Sequence, residues 1–322
     1  MMRRAVVSWA HMREPLRNTF QWSVSRDRTF LTCPRQYWFN HYGFWGGWEY
    51  DCDARTHEIY MLKQLKSRPM WVGDVVHSCI RRSLDNIARS IPVLPVDEIL
   101  RITRDQMRSD FRQSRAGLYR ENPRGACGLF EHEYRLPVTD QEWLDSAEQV
   151  DQCLRNFYAS PAYAQLSSTR PEDFLEIETF SRFEIDNIPI TVKLDCATRE
   201  SDHIVVWDWK TGKWDGRESD QLQLACYAFY IQQAYNVPIH AVRQRCVDLM
   251  RGGEFKETVF QERGVNELLS YVRGSVADMM SKLDDPANNR ASEAHFTQVA
   301  RRDVCSRCSF LRVCEPALPG GR

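Results

Sequence analysis

Long apolar runs are missing from this sequence. No stretch approaches 18 uncharged apolar residues, which argues against a membrane-spanning helix. A charge excess is missing too: 43 Lys and Arg stand against 44 Asp and Glu, for a net charge of −1. No global field therefore draws in an anionic partner, and any nucleic-acid surface must be local. No GxxxxGK[ST] loop occurs, so ATP-driven unwinding would need a second protein. Internal repeats and low-complexity segments are absent. The opening MMRRAVVSWAHMREP lacks an apolar core and a small-residue cleavage site, and the expectation is a cytoplasmic chain.

Cysteine, by contrast, is plentiful at 11 residues. In a reducing compartment these are not expected to form disulfides. Cys52, Cys79, Cys127, Cys153, Cys196, Cys226 and Cys246 are scattered singly and read as small core residues. Cys305, Cys308 and Cys314 crowd into one short segment, CSRCSFLRVC. Soft thiolates so close together bind zinc or an iron–sulfur cluster. Such a site needs a fourth ligand, and spacing alone separates neither the metals nor the candidates.

Periodicity predicts helices over 25–42, with Pro34 near a first turn, and over 70–90, where Val72, Val76, Ile80, Leu84 and Ile87 form a stripe. Residues 94–160 read as mostly helical, with a loop near 122–128. Strands follow at about 173–184, 189–199 and 203–210. A helix at 219–236, strands near 239–250 and 255–260, and a helix at 262–283 complete the pattern before a cysteine-bearing stretch at 295–316. This order implies an α/β or α+β chain with one sheet, a single domain over 1–322 carrying a helical insertion at 94–160.

The third strand, IVVWDWK, ends on charges where apolar residues are expected. Alternation puts Ile204, Val206, Asp208 and Lys210 on one face. In the preceding strand it puts Val192, Leu194 and Cys196 on one face, Lys193 and Asp195 on the other. If the two strands pair through a turn at 199–202, Asp195 and Asp208 converge. Two carboxylates beside a lysine make a site for Mg²⁺ or Mn²⁺. Such an ion lowers the pKa of a bound water and stabilises charge on a phosphoryl oxygen, with the lysine orienting that water. On the next helix Gln223 and Tyr227 stand four residues apart on one face, suited to a nucleic-acid backbone. Upstream, Gly73 lets another backbone approach, and His77 one turn later offers a ring nitrogen to a metal.

Taken together, these residues resemble the PD-(D/E)xK nuclease superfamily in its RecB-type branch, which includes CRISPR-associated exonucleases and AddB-type subunits. The matching motifs are GxxxH at Gly73–His77, a strand aspartate at Asp195, D-x-K at Asp208–Lys210 and QxxxY at Gln223–Tyr227. The resemblance implies a restriction-endonuclease-like mixed sheet flanked by helices. It implies that His77, Asp195, Asp208 and the Trp209 carbonyl hold Mg²⁺ or Mn²⁺, that Lys210 is catalytic, and that Gln223 and Tyr227 touch substrate. A glutamate of the first strand assists; Glu176 and Glu178 share a face by alternation, and Glu178 is taken. Many relatives carry glycine two residues before the strand aspartate, where this chain has Lys193. The resemblance also supplies the fourth thiol, Cys33 before Pro34, with Cys52 as its rival, and a structural [4Fe–4S] cluster on Cys33, Cys305, Cys308 and Cys314. This clasp joins segments 25–50 and 295–316. Borrowing the loop-entropy estimate for cross-links, closing a loop from residue 33 to residue 305 is worth about 5 kcal/mol.

Arg101, Arg104, Arg108, Arg112 and Arg115 recur at helical steps and form a stripe for phosphates, unless Asp105 and Asp110 pair with them. Phe44, Trp45 and Trp48 either pack round the cluster or stack on unpaired bases. The expected activity is a metal-dependent deoxyribonuclease acting on DNA ends or single strands, an exonuclease before an endonuclease. It would serve DNA repair, CRISPR adaptation or antiphage defence, with a helicase or integrase as partner. The alternatives are a DNA- or partner-binding protein without cleavage and a zinc-stabilised RNA-processing nuclease.

Overall fold

The structure is a computed structural model that describes residues 16–212 and 218–315. The helices run α1 Val24–Thr32, α2 Pro34–Trp38, α3 Ala54–Lys63, α4 Arg68–Ala88, α5 Val96–Arg115, α6 Phe130–Glu133, α7 Asp140–Ala159 and α8 Pro161–Ser167. Strands β1 Phe174–Ile185, β2 Ile188–Glu200 and β3 His203–Lys210 follow. Then come α9 Glu218–Tyr235, β4 Val242–Asp248, β5 Glu254–Val259, α10 Glu262–Met280, α11 Arg302–Cys305 and α12 Leu311–Cys314.

The five strands form one sheet in the order β1-β2-β3-β4-β5. Three pairings are antiparallel and β3/β4 is parallel. A parallel neighbour needs a crossover, and α9 supplies it. The fold is therefore a mixed sheet with flanking helices, in the α+β class. Ile204 and Val206 point to one side, among Ala228 and Ile231 of α9 and Leu268 and Val272 of α10. Val205, Trp207 and Trp209 point to the other, among Val76 and Ile80 of α4 and Leu154 and Phe157 of α7. Trp207 and Trp209 stack at 6.2 Å, and the Trp207 Nε1–H donates to Thr198 Oγ1 at 3.0 Å, which satisfies its one polar atom. A buried ring of this size contributes about 4–6 kcal/mol of gross burial energy. The helices at 94–160 carry this second layer: Ile99, Leu100 and Met107 of α5 join the same core as α4, α7 and the sheet.

Local rules set several boundaries. The Ser23 side chain caps α1 by accepting the Arg26 N–H. Pro34 disfavours helix in the residue before it, and Cys33 is extended at φ −159°, which splits the helix expected over 25–42 into α1 and α2. Thr139 and Glu142 cap α7 reciprocally. At α4 the Ser67 hydroxyl makes no cap; the Glu131 carboxylate of α6 accepts the Arg68 N–H at 2.8 Å instead. Helix α3 was not expected from the periodicity. The chain's two ends meet: Arg35 donates to the Phe296 carbonyl at 2.7 Å and pairs with Glu293, while the Trp38 Nε1–H reaches the Ala291 carbonyl at 2.8 Å. Among the described residues no helix is long and apolar enough to cross a membrane.

Candidate active site

The β2/β3 ladder begins at Glu200–His203 and stops at Cys196–Trp207. Beyond it Asp195 and Asp208, next in register, no longer pair with each other, while Asp208 stays paired with Cys246 of β4. The Asp195 side chain substitutes for the lost ladder: its Oδ2 accepts the Trp209 N–H at 2.8 Å. That contact ties the two strands and leaves Oδ1 for other partners. Asp195 and Asp208 are both buried, and Lys210 Nζ lies 2.7 Å from Asp208 Oδ2.

His77 enters from the middle of α4. Its Nδ1 lies 3.0 Å from Glu178 Oε1 and 3.3 Å from Asp195 Oδ1, and its Nε2 lies 3.2 Å from the Trp209 carbonyl oxygen. His77, Glu178 and Asp195 are the one group of three such ligands within 4.8 Å of one another among the described residues. Burial would lower the His77 pKa, but Asp195 and Glu178 hold it well above the ordinary imidazole value. Burial, then Asp195, pushes the Asp208 carboxyl up to about 6 despite Lys210 and His77. The two shifts share a setting: buried carboxylates crowd round His77 and Asp208 in a dry site. A divalent cation fits that donor set, which offers hard oxygens and one imidazole.

Alternation misplaces two residues. Glu176 and Glu178 do not share a face. Glu176 turns to α9, where Tyr230 donates to it and Tyr235 donates at 3.1 Å. Glu178 turns to His77 on α4. The cause is backbone: Glu178 is left-handed at φ 48°, which breaks the alternation between the two glutamates. Likewise Val192 and Leu194 pack beneath α9, whereas Cys196 packs with the α4 layer. Phase is lost where Asp195 leaves the ladder.

Lys193, the departure from the glycine of many relatives, forms an ion pair with Glu178 Oε2. Against burial, His77 and Lys193 hold Glu178 below the usual carboxylate range. Gln223 donates to Tyr227 at 2.5 Å, and the Tyr227 hydroxyl donates to the Lys193 carbonyl at 2.8 Å. These two side chains therefore brace the β2 backbone beside Asp195. Gly73 approaches a side chain rather than a backbone: an added Cβ would sit 3.4 Å from Thr211 Oγ1. The Thr211 carbonyl accepts from Gln149 of α7 at 2.8 Å, a support that no pattern in the sequence signals.

Cys33, Cys305, Cys308 and Cys314 line one cavity together with Phe39 and Leu311. Cys52 is elsewhere, its thiol facing the Gly47 carbonyl at 3.6 Å. Burial pushes the Cys308 thiol up to about 12 and the Cys314 thiol up to about 11, and the neighbouring cysteines add to both. A cationic centre would relieve that crowding. Thiolates gathered in this way suit zinc or an iron–sulfur cluster.

The arginine stripe is largely spoken for. Arg101 pairs with Glu98 and Asp105, Arg104 with Asp151 of α7, and Arg108 with Asp105; Arg112 donates to the Arg108 carbonyl. Asp110 accepts from Trp71 at 2.9 Å. Phe44, Trp45 and Trp48 contact one another, with Lys63 Nζ 3.2 Å from the Phe44 centroid.

No curated protein matches the chain significantly. A solved structure from Eubacterium rectale described as "Putative exonuclease" is 12% identical, covering 81% of this chain and 80% of that one at a TM-score of 0.41. The family model of the PD-(D/E)XK nuclease superfamily matches residues 21–315, and the chain belongs to that superfamily.

Proposed function

We propose that this nuclease is a Mg²⁺- or Mn²⁺-dependent deoxyribonuclease of the RecB-type branch, working in the cytoplasm on DNA ends or single strands. The observation that carries the reading is the meeting of His77, Asp195 and the Trp209 carbonyl beside the Asp208–Lys210 pair. His77, Asp195, Asp208 and the Trp209 carbonyl would hold the cation, which supplies Lewis acidity and an activated water when bound. Lys210 keeps its ammonium at the open end of β3, where it orients the nucleophile or steadies charge on a phosphoryl oxygen. Glu178 holds the His77 Nδ1 proton, which leaves Nε2 turned toward Trp209. Gln223 and Tyr227 fix the strand that carries Asp195.

The four thiols, gathered round one cavity, would hold a structural [4Fe–4S] cluster that joins the N-terminal helices to the tail. DNA repair, CRISPR adaptation and antiphage defence suit such an enzyme, with a helicase or integrase beside it. The test is cleavage of end-labelled single-stranded DNA, duplex DNA and RNA with Mg²⁺ or Mn²⁺. Expected is DNA cleavage that chelation abolishes. Firm binding of DNA without cleavage under every condition, or cleavage of RNA alone, would overturn the reading.

A further inference from the structure

A second concave site lies away from the cleft, where the end of α5, the turn after α6 and helix α12 come together. Its volume is ≈ 570 Å³, within the range of ligand sites. Arg115, Arg120, Arg135 and Arg312 line it with Tyr119 and Tyr134. Two of the four guanidiniums are structural. Arg120 and Arg312 converge on the buried Glu133 and also reach Glu58, at 3.8 and 3.1 Å. Arg115 and Arg135 make no ion pair among the described residues and are exposed. Four positive charges thus stand against two carboxylates.

The rest of the lining narrows the ligand. The Tyr119 hydroxyl donates to Glu133 Oε2 at 2.6 Å and the Tyr134 hydroxyl to the Ser309 carbonyl at 2.7 Å. The Tyr134 ring lies under the Arg312 guanidinium at 5.6 Å. His132 accepts or shares a proton with Ser114 at 2.8 Å, and burial and Arg115 push its imidazole down, so it adds little charge at neutral pH. What remains free for a ligand is guanidinium. Such a surface selects phosphate and ignores base identity.

Helix α6, which supplies Glu133 to the pocket, also touches the helix that carries His77. Glu131, two residues before Glu133 on α6, caps α4 at Arg68. His77 follows nine residues on, about 14 Å along the helix axis. We propose that this pocket grips backbone phosphates of the strand being cut, holding it a few nucleotides from the reacting bond. This rests on the nuclease reading above. The occupant is a nucleic-acid strand, and the experiment separates it from a free phosphate.

The test measures anisotropy of a labelled single-stranded 20-mer bound to the full-length protein in EDTA, where nothing is cut. Arg115→Glu with Arg135→Glu is compared with Arg263→Glu with Arg273→Glu, exposed arginines of α10 that carry the same charge change. Expected is at least a tenfold loss of affinity in the pocket variant alone. The slope of log K against log salt should fall by about 1.4, or 0.7 for each lost phosphate contact. Affinity within twofold of the parent, or an equal loss in the α10 variant, overturns the proposal. So does a thermal shift by inorganic phosphate or a mononucleotide that the pocket variant loses while strand binding is intact. Hydrolysis of bis(p-nitrophenyl) phosphate with Mn²⁺ should be unchanged in the pocket variant; a fall would show that the effect is not remote. If the parent cleaves nothing, the nuclease reading fails, and strand binding still decides the pocket.

Discussion

His77 Nε2 lies 3.2 Å from the Trp209 carbonyl oxygen, so a side chain of α4 meets the backbone of β3 one residue before Lys210. Helix and strand belong to different layers, and the contact exists because β2 and β3 part at Cys196–Trp207. The open fork, rather than any one residue, makes the site.

Lys210 is the group whose charge the cation does not duplicate. Lys210→Ala should lower kcat on DNA about 10²- to 10³-fold, the range for losing one preorganised charge at a reacting centre. Mn²⁺ binding should persist, since the ligands stay. Single-turnover cleavage at saturating Mn²⁺ checks this, and unchanged rates would remove Lys210 from the mechanism.

Glu178 sits in the left-handed region, where a side chain costs about 1–2 kcal/mol that glycine does not. Glu178→Gly should therefore be more stable than Glu178→Ala by about 1 kcal/mol, both having lost the pairs with His77 and Lys193. Urea unfolding of the two variants measures the difference. Equal midpoints would mean that the strand relaxes to an ordinary conformation.

The four-thiol cavity leads to a metal prediction. Protein purified without oxygen should be brown and carry iron, and Cys33→Ser, Cys305→Ser and Cys308→Ser should each lose it. The loss of stability is bounded at about 5 kcal/mol by loop entropy. Because Arg35, Arg55, Trp38 and Arg312 also join the two ends, the variants should remain folded at low temperature. Zinc in place of iron would contradict the cluster.

His41 is held well below the ordinary imidazole pKa by burial, then by Arg26 and Lys63. Its folded pKa is depressed, so it is neutral in the folded chain and becomes charged first in the unfolded one. Its contribution to stability is complete above pH 6.5 and is lost as pH falls below that value. Thermal midpoints of the parent should drop between pH 6.5 and 5 more steeply than those of His41→Phe. Parallel curves would mean that His41 titrates normally.

Much of this architecture was legible in the residues, for identifiable reasons. All five strands lie close to their expected ranges, α4 follows its apolar stripe, and α9 and α10 fall where helices are expected. The pattern failed where the backbone leaves its period. Glu178 and Glu176 part company at a positive φ, and Cys196 changes face where Asp195 caps Trp209. Alternation assumes an unbroken ladder, and active sites are often built where ladders break. The Lys193–Glu178 pair was equally invisible, since it joins neighbouring strands across a kink. The stripe of α5 shows the converse: its spacing was right, and its charge was spent on Glu98, Asp105 and Asp151.

Calorimetric titration of Mn²⁺ into the parent, Asp195→Asn and Lys210→Ala tests the central claim most directly. One Mn²⁺ bound by the parent and by Lys210→Ala, with binding lost in Asp195→Asn, is the expected result. Equal binding by Asp195→Asn would mean that the fork between β2 and β3 is not where the cation sits.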